Sequence, residues 1–399
     1  MFSGLPLAAD VAASLALSDR TETRVRQPGD TPPGASLDVA SVPEARLSLA
    51  WPRVDCALTY SPRLTFWDVG SADAARTWLD AGSAHVDWHA NDETTLSLHE
   101  DASYGAMSFA GLTLPPSGPE GAPPRVDVIP GSQILFLESS SSTISSRVAL
   151  RRWELRSEIG YQVFGGADDA ARSLLPLQRG PVADATLSYA TSPIDHVATT
   201  LTGSETTFSP GPEIALVEGD EGWKHRWSAL TETTSTLGIA EARVDGAGVP
   251  PSRQTDPVAE LVLEHRIPVG GDPVALHVGA RLGPVVNRLL GIVDERVQGV
   301  IQAKWTHRPF VVTAFGSAQQ SVLAQEDPYA TTLFLGELDA SYQAADAVAF
   351  DAGVRGIWQR ASQPITPGTA PGTTGVVEAN IAQGILFVGI TLRVPTIRL

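Results

Sequence analysis

The sequence is almost devoid of cysteine: Cys56 is the only one in 399 residues. That excludes a disulfide framework and a cysteine zinc site, and it fits an oxidising compartment in which stray thiols are avoided. Long apolar runs are missing too. No stretch approaches the roughly 20 consecutive apolar residues that a spanning helix needs, so helical membrane architecture is excluded. Positive charge is scarce, since 28 Lys and Arg face 45 Asp and Glu for a net charge of −17. Nucleic acid is therefore not expected as a partner, because phosphate binding requires a basic stripe. Catalytic and cofactor signatures are lacking as well: there is no HExxH, GxSxG, Walker loop or dinucleotide fingerprint. The start, MFSGLPLAAD, has neither a basic region nor a long apolar core. It is no intact secretory signal, and the expectation is that any leader is absent from this sequence.

What the sequence does have is period 2. Hydrophobic residues make up 43 % of the chain and mean hydropathy is 0.00, so apolar surface is ample but nowhere concentrated. In VALHVGARL, Val274, Leu276, Val278, Ala280 and Leu282 share one side of an extended chain, with His277 and Arg281 on the other. VQGVIQAKW, WELRSEIGYQV and AVAFDAGVRGIW repeat the pattern. Alternate side chains of a strand point to opposite faces, so each segment reads as apolar on one side and polar on the other. Helical spacing occurs only in DAARTWLDA and DDAARSLLPL, which are expected to lie within connections.

About eighteen such strands are predicted, over 8–19, 45–52, 54–68, 83–90, 94–109, 133–150, 153–164, 183–190, 194–207, 213–229, 233–244, 258–267, 273–282, 295–306, 310–320, 330–343, 347–359 and 379–395. Pro62 falls inside the third and marks a bulge or local break, since proline cannot donate to the ladder. From the second connection onward, every other one is tight: PRV, AND, RR, TSPI, ALTE, PVGGD, HRP and QAAD all sit at or near hairpin turns. The alternate connections are longer and rich in Gly, Pro, Asp and Ser, as in GLTLPPSGPEGAPPRVDVIPG and RASQPITPGTAPGTTGV. Short periplasmic turns alternating with long external loops are the pattern of an outer-membrane barrel, whereas a soluble sandwich has no reason to keep its long loops on one side. Aromatic residues add a second regularity. Trp51, Trp88, Trp153, Trp227, Trp305 and Tyr342 fall near the tight-turn ends, and Tyr161 and Trp358 near the others, as expected of two girdles at membrane interfaces.

On these patterns the chain resembles the Gram-negative outer-membrane β-barrels of porin and polysaccharide-exporter type. The resemblance covers nearly the whole chain and rests on pattern rather than on one diagnostic motif. The final GILFVGITLRVPTIRL, with Gly389, Leu392 and Val394, is similar to the assembly signal of that class but ends on Leu399 instead of an aromatic. The expected fold is an all-β, antiparallel, up-and-down transmembrane barrel spanning 1–399 as a single domain, with eighteen strands, or sixteen as the alternative. There is no room for a plug, and no periplasmic domain is expected. The resemblance implies an outer-membrane channel embedded in outer-membrane lipid. It would pass small polar solutes as a passive pore, or a secreted polysaccharide as an export barrel that depends on a periplasmic partner. The competing readings are a structural or adhesive barrel with acidic external loops and, more remotely, an outer-membrane hydrolase.

Inward faces of such a barrel are polar because the lumen is wet. In SAHVDWHAND, His85, Asp87 and His89 lie opposite Val86 and Trp88, and the next strand adds His99. This spacing could ligate zinc, but it reads better as a wet wall, and neither metal nor cofactor is assigned. The other pore-lining candidates are Arg63, Arg281, Lys304 and Arg355, with Arg147, Arg151, Arg156, Glu154 and Glu158 gathered at one mouth. Inward charge of both signs suits a water-filled conduit, while the chain's excess acidity falls in loops and rims. No catalytic residue is assigned.

Overall fold

The computed structural model describes residues 12–27, 36–70, 75–108, 134–173, 175–246, 251–287, 291–322, 331–361, 380–394 and 397–398. The chain is one antiparallel sheet. Its first strands are β1 (Ala12–Gln27), β2 (Ser36–Trp51), β3 (Val54–Tyr60), β4 (Arg63–Trp67), β5 (Ala75–Asn91), β6 (Thr94–Ser108), β7 (Ile134–Leu150) and β8 (Trp153–Gly166). After the short helix α1 (Asp169–Arg172) come β9 (Leu177–Ala190), β10 (Asp195–Ser209), β11 (Glu213–Arg226), β12 (Thr231–Asp245) and β13 (Ser252–Val269). The last are β14 (Asp272–Asn287), β15 (Ile292–His307), β16 (Phe310–Ser321), β17 (Thr331–Ala345), β18 (Val348–Ala361), β19 (Asn380–Arg393) and β20 (Ile397–Arg398). Consecutive strands pair, except that β3 and β4 each pair with β2 and β5, and β20 pairs with β1; β1 also pairs with both β2 and β19, which closes the sheet into a barrel.

These strands make eighteen crossings. β3 and β4 are one crossing interrupted at Ser61–Pro62, yet both halves keep a single register against β2 and β5. Pro62 therefore breaks the ladder without shifting it, as its missing N–H requires. β20 is a two-residue stub against Ala12 and Ala13. Among the described residues, closure leaves no full-length strand unpaired on either side, so no row of free backbone groups faces lipid.

The tight turns lie at one end of the barrel. Gly270 and Gly271 both take positive φ, 58° and 100°, so the β13–β14 turn uses the backbone region that glycine reaches without strain. Between β7 and β8 the turn is Arg151–Arg152, with Arg151 held left-handed at φ 52°. The opposite end carries the other connections. One of them, Pro210–Gly211–Pro212, is only three residues long, which departs from the expected alternation. The long connection 111–131 and nearly all of 360–376 lie outside the described residues.

One local expectation is corrected. DAARTWLDA is not helical: from Ala75 onward it is the first half of β5, paired with β4 and β6. Its spacing of apolar residues fits a strand equally well, with Trp78 outward and Leu79 inward, and ladder pairing on both sides overrides local helical preference. DDAARSLLPL does contain a helix, the single turn α1, capped by Asp168 on the Ala171 N–H at 2.7 Å.

Candidate functional site

Two observations identify the inner face. Large apolar side chains such as Leu237, Ile239, Ile301, Val354 and Leu386 are exposed on one parity of their strands. The other parity carries charges that meet across intervening strands. Arg281 on β14 reaches Glu218 on β11 at 2.7 Å, passing over β12 and β13, and Arg63 on β4 bonds Glu22 on β1 over β2. Only side chains on the concave side of a closed sheet can do this. The apolar parity therefore faces outward.

The lumen differs sharply between its two ends. Toward the turns, inward side chains are solvated: Arg147 and Arg156 are 56 % and 57 % exposed. Lys224, Glu264 and Lys304 are also well exposed there. Toward the loops, inward side chains are buried around the whole circumference. They include Ala40, Trp67, Leu137, Phe164, Phe208, Ala242, Val258, Leu333, Ile357 and Ile385. Among them stand buried amides and hydroxyls, Gln178, Gln298, Gln319, Gln359, Gln383 and Ser321, with Gln298 and Gln319 directly opposite each other. The inside is thus a solvated, charged vestibule at the turn end that gives way to a buried collar of apolar and amide side chains, with the buried charges Arg24, Asp38, Asp256, Asp294 and Arg296 among them.

The charges are mostly braced. Arg147 and Arg156 share Glu154, the first at 3.0 Å. Glu158 does not join them; it lies directly opposite Asp184 on β9. Arg151 is not on the wall: it occupies the turn, so the mouth gains its charge from below. Arg63 and Arg20 both hold Glu22, and Arg355 grips Glu337 with two bonds of 2.7 and 2.8 Å. Lys304 projects from β15 into the open half. His85 pairs with Asp87 at 2.7 Å, His89 with Asp55 at 3.3 Å, and His99 with Asp101. These histidines face the lumen as their spacing predicts, but each is matched to its own carboxylate. Among the described residues no three His, Cys, Asp or Glu side chains come together as a metal-holding group.

The outward aromatics fall at two levels. Trp88, Trp153, Trp227 and Tyr342 are exposed near the turn end, and Tyr161 and Trp358 near the loop end. Trp51 and Trp305 share the outer face but are half-buried, Trp305 stacked on His307 with ring planes 4° apart. Trp78, Trp223, Phe310 and Phe334 extend the two belts. The inward charges that sequence reasoning missed include Arg20, Glu22 and Arg24 on β1, Asp38 on β2, Glu218 and Asp220 on β11, Asp256 on β13, and Asp294 and Arg296 on β15. Those on β1 were hidden because the strand was expected to end at residue 19, before TETRVRQ begins.

A closed barrel with an apolar outer band, two aromatic belts and a lumen that is charged and solvated at its turn end is an outer-membrane β-barrel channel. Its family is also defined. The chain belongs to the EpsX exopolysaccharide export family, whose signature matches residues 7–369. No curated protein matches the sequence. Solved structures similar in fold include Pseudomonas aeruginosa OccK11 (OpdR), with 12 % identity and a TM-score of 0.46 over 96 % of both chains. The outer membrane protein opdK of the same organism gives 12 % and 0.46 over 96 % of this chain and 99 % of that one. Pseudomonas aeruginosa OccK2 (OpdF) gives 10 % and 0.48 over 96 % and 98 %.

Proposed function

We propose that this barrel is the conduit through which an exopolysaccharide crosses the outer membrane, entering at the turn-end vestibule from a periplasmic partner and leaving between the loops. The observation that carries this reading is the asymmetry of the lumen. A simple diffusion pore needs no buried collar, whereas a polymer exporter must stay closed when no chain is passing. The collar's amides support the substrate class, since they donate and accept hydrogen bonds as sugar hydroxyls do. The vestibule supports the direction. Arg147 and Arg156 share one carboxylate and stand above the turn arginines Arg151 and Arg152, so the mouth is locally basic and concentrates anionic polymer.

The outer belts fit the same placement, with Trp88, Trp153, Trp227 and Tyr342 at the periplasmic interface of the lipid and Tyr161 and Trp358 at the outer one. Two measurements test the reading. The purified barrel in a planar bilayer should be closed or nearly so, and cells lacking it should retain the polymer in the periplasm. A steadily open, large conductance with normal polymer secretion would favour a small-solute porin instead.

A further inference from the structure

The outer wall is not uniform. From β12 to β19, its middle is lined by side chains such as Leu237, Ile239, Leu261, Ile301, Leu338 and Val354. From β1 to β7 the same level carries carboxylates. Glu100 faces outward on β6, four residues from Tyr104 and four from Leu96, which is the cross-strand partner of Trp88. A tilted strand climbs about 2.5 Å per residue along the membrane normal, so Glu100 lies roughly 10 Å from each aromatic level, near the midplane. Asp19 faces outward from the middle of β1. Each is held by one neighbouring hydroxyl, Glu100 by Ser142 and Asp19 by Ser41 at 3.0 Å. Nearer the loop end, Tyr60 donates to a third outward carboxylate, Asp80, at 2.6 Å. Among the described residues neither Asp19 nor Glu100 has a cationic partner.

Lipid tails offer these groups nothing, because a polar group in hydrocarbon must find its partner in protein. We infer that the outward face of β1–β7 is an interface with a second copy of this chain. The surface suits close approach, since its lipid-level positions include the small residues Ala84, Ala102, Ser140 and Ser142, and small residues let backbones come together within a bilayer. Its size suits a stable contact. Six crossings about 4.8 Å apart and a band about 25 Å tall present roughly 700–900 Å², close to the ~800 Å² per partner of a standard interface. Its chemistry favours a like partner. The face offers carboxylates with acceptor capacity to spare together with the hydroxyl donors of Thr21 and Ser140, so two copies can satisfy each other. A cationic partner would instead have to expose its own lipid-facing charge when alone, at about 2–4 kcal/mol for each Lys or Arg at the midplane.

The test measures the mass of the full-length protein in mild detergent and in lipid nanodiscs, for wild type, Ala102→Trp, Ser142→Trp and the opposite-face control Leu261→Trp. Tryptophan is tolerated by lipid but blocks close packing of two barrels. Wild type and Leu261→Trp should contain two or more copies, whereas Ala102→Trp and Ser142→Trp should lose the oligomer while still migrating as folded, heat-modifiable barrels. Should both variants misfold, a bifunctional thiol reagent on Ala84→Cys in a Cys56→Ser background should join two chains, and on Leu261→Cys it should not. A monomeric wild type, an oligomer indifferent to both tryptophans, absence of cross-linking at Ala84→Cys, or an assembly whose second member is a different protein overturns the inference.

Discussion

Removing Arg281 alone should destabilise the barrel by about 3–5 kcal/mol, because breaking a buried pair leaves an uncompensated charge. The structural grounds are specific. Glu218 is 7 % exposed in its side chain and takes both of its close contacts from Arg281 Nη2 at 2.7 Å, while Glu260 lies 3.7 Å from Nη1 of the same guanidinium. Arg281→Met therefore strands two carboxylates on the inner wall, one of them nearly without access to water. Glu218→Gln alone should cost less, since Arg281 keeps Glu260. The double variant Arg281→Met with Glu218→Gln should recover at least about 1–2 kcal/mol of the Arg281→Met loss, since neighbours in one network are not additive. The assay is the urea midpoint of reversible folding into lipid vesicles, followed by tryptophan fluorescence and by heat-modifiable migration. The same variants should be tested for conductance. The Arg281–Glu218 contact spans two intervening strands, so removing it should raise the current through the barrel. An Arg281→Met cost below about 1 kcal/mol, or strict additivity in the cycle, would refute the reasoning. It would mean that water fills the lumen at this depth and screens the pair.

Other consequences can be checked separately. Arg147→Glu with Arg156→Glu should shift ion selectivity toward cations at low salt, with the difference shrinking at high salt as the screening length falls; unchanged selectivity would make the cluster a brace only. Arginine at Ile301 or Val354 should cost roughly 2–4 kcal/mol, whereas Gln302→Arg, one residue away and facing water, should be nearly neutral; equal damage at both parities would contradict the inside–outside assignment. In a Cys56→Ser background, Asp245→Cys near the loop end should react with an impermeant thiol reagent on intact cells, and Asp346→Cys in a tight turn only after the outer membrane is permeabilised. The reverse result would invert the barrel.

The two ends of the strands were unequally legible. At the turn end, expected and observed limits mostly agree within a residue or two, as at Trp153, Phe310 and Val348, because hairpin turns have local chemistry that a sequence displays. At the loop end several strands were read too short. β2 was expected to begin at residue 45 and begins at Ser36, β5 at 83 and begins at Ala75, and β13 at 258 and begins at Ser252. The candidate site shows the same split. Arg63, Arg147, Arg156, Arg281, Lys304 and Arg355 lie on strands where alternation is clean and face inward as expected, while Glu22, Glu218 and Arg296 sit where it falters. The pairing of Arg281 with Glu218 was not readable at all, since it depends on closure across strands 63 residues apart.

The cause of the faltering is physical and bears on function. Alternation of apolar and polar residues records one face in lipid and the other in water. Near the loop end that contrast disappears. Leu135 and Leu137 are buried inward while Ile134 is exposed outward, and Leu333 and Leu335 are buried inward beside the exposed Phe334. With both faces apolar, period 2 no longer distinguishes inside from outside there, although the loop-end limits of β7 and β17 were still read within a residue. On β1 the opposite substitution has the same effect, since Thr21 and Thr23 face outward between the inward Glu22 and Arg24. A pore open along its whole length would have kept its inner face polar to the last residue. The stretches where the period fails are thus the stretches where the lumen is dry or where the outer face is not purely lipid-facing. The first kind of failure marks the collar that a polymer must pass, and the second marks the wall where another chain is expected to dock.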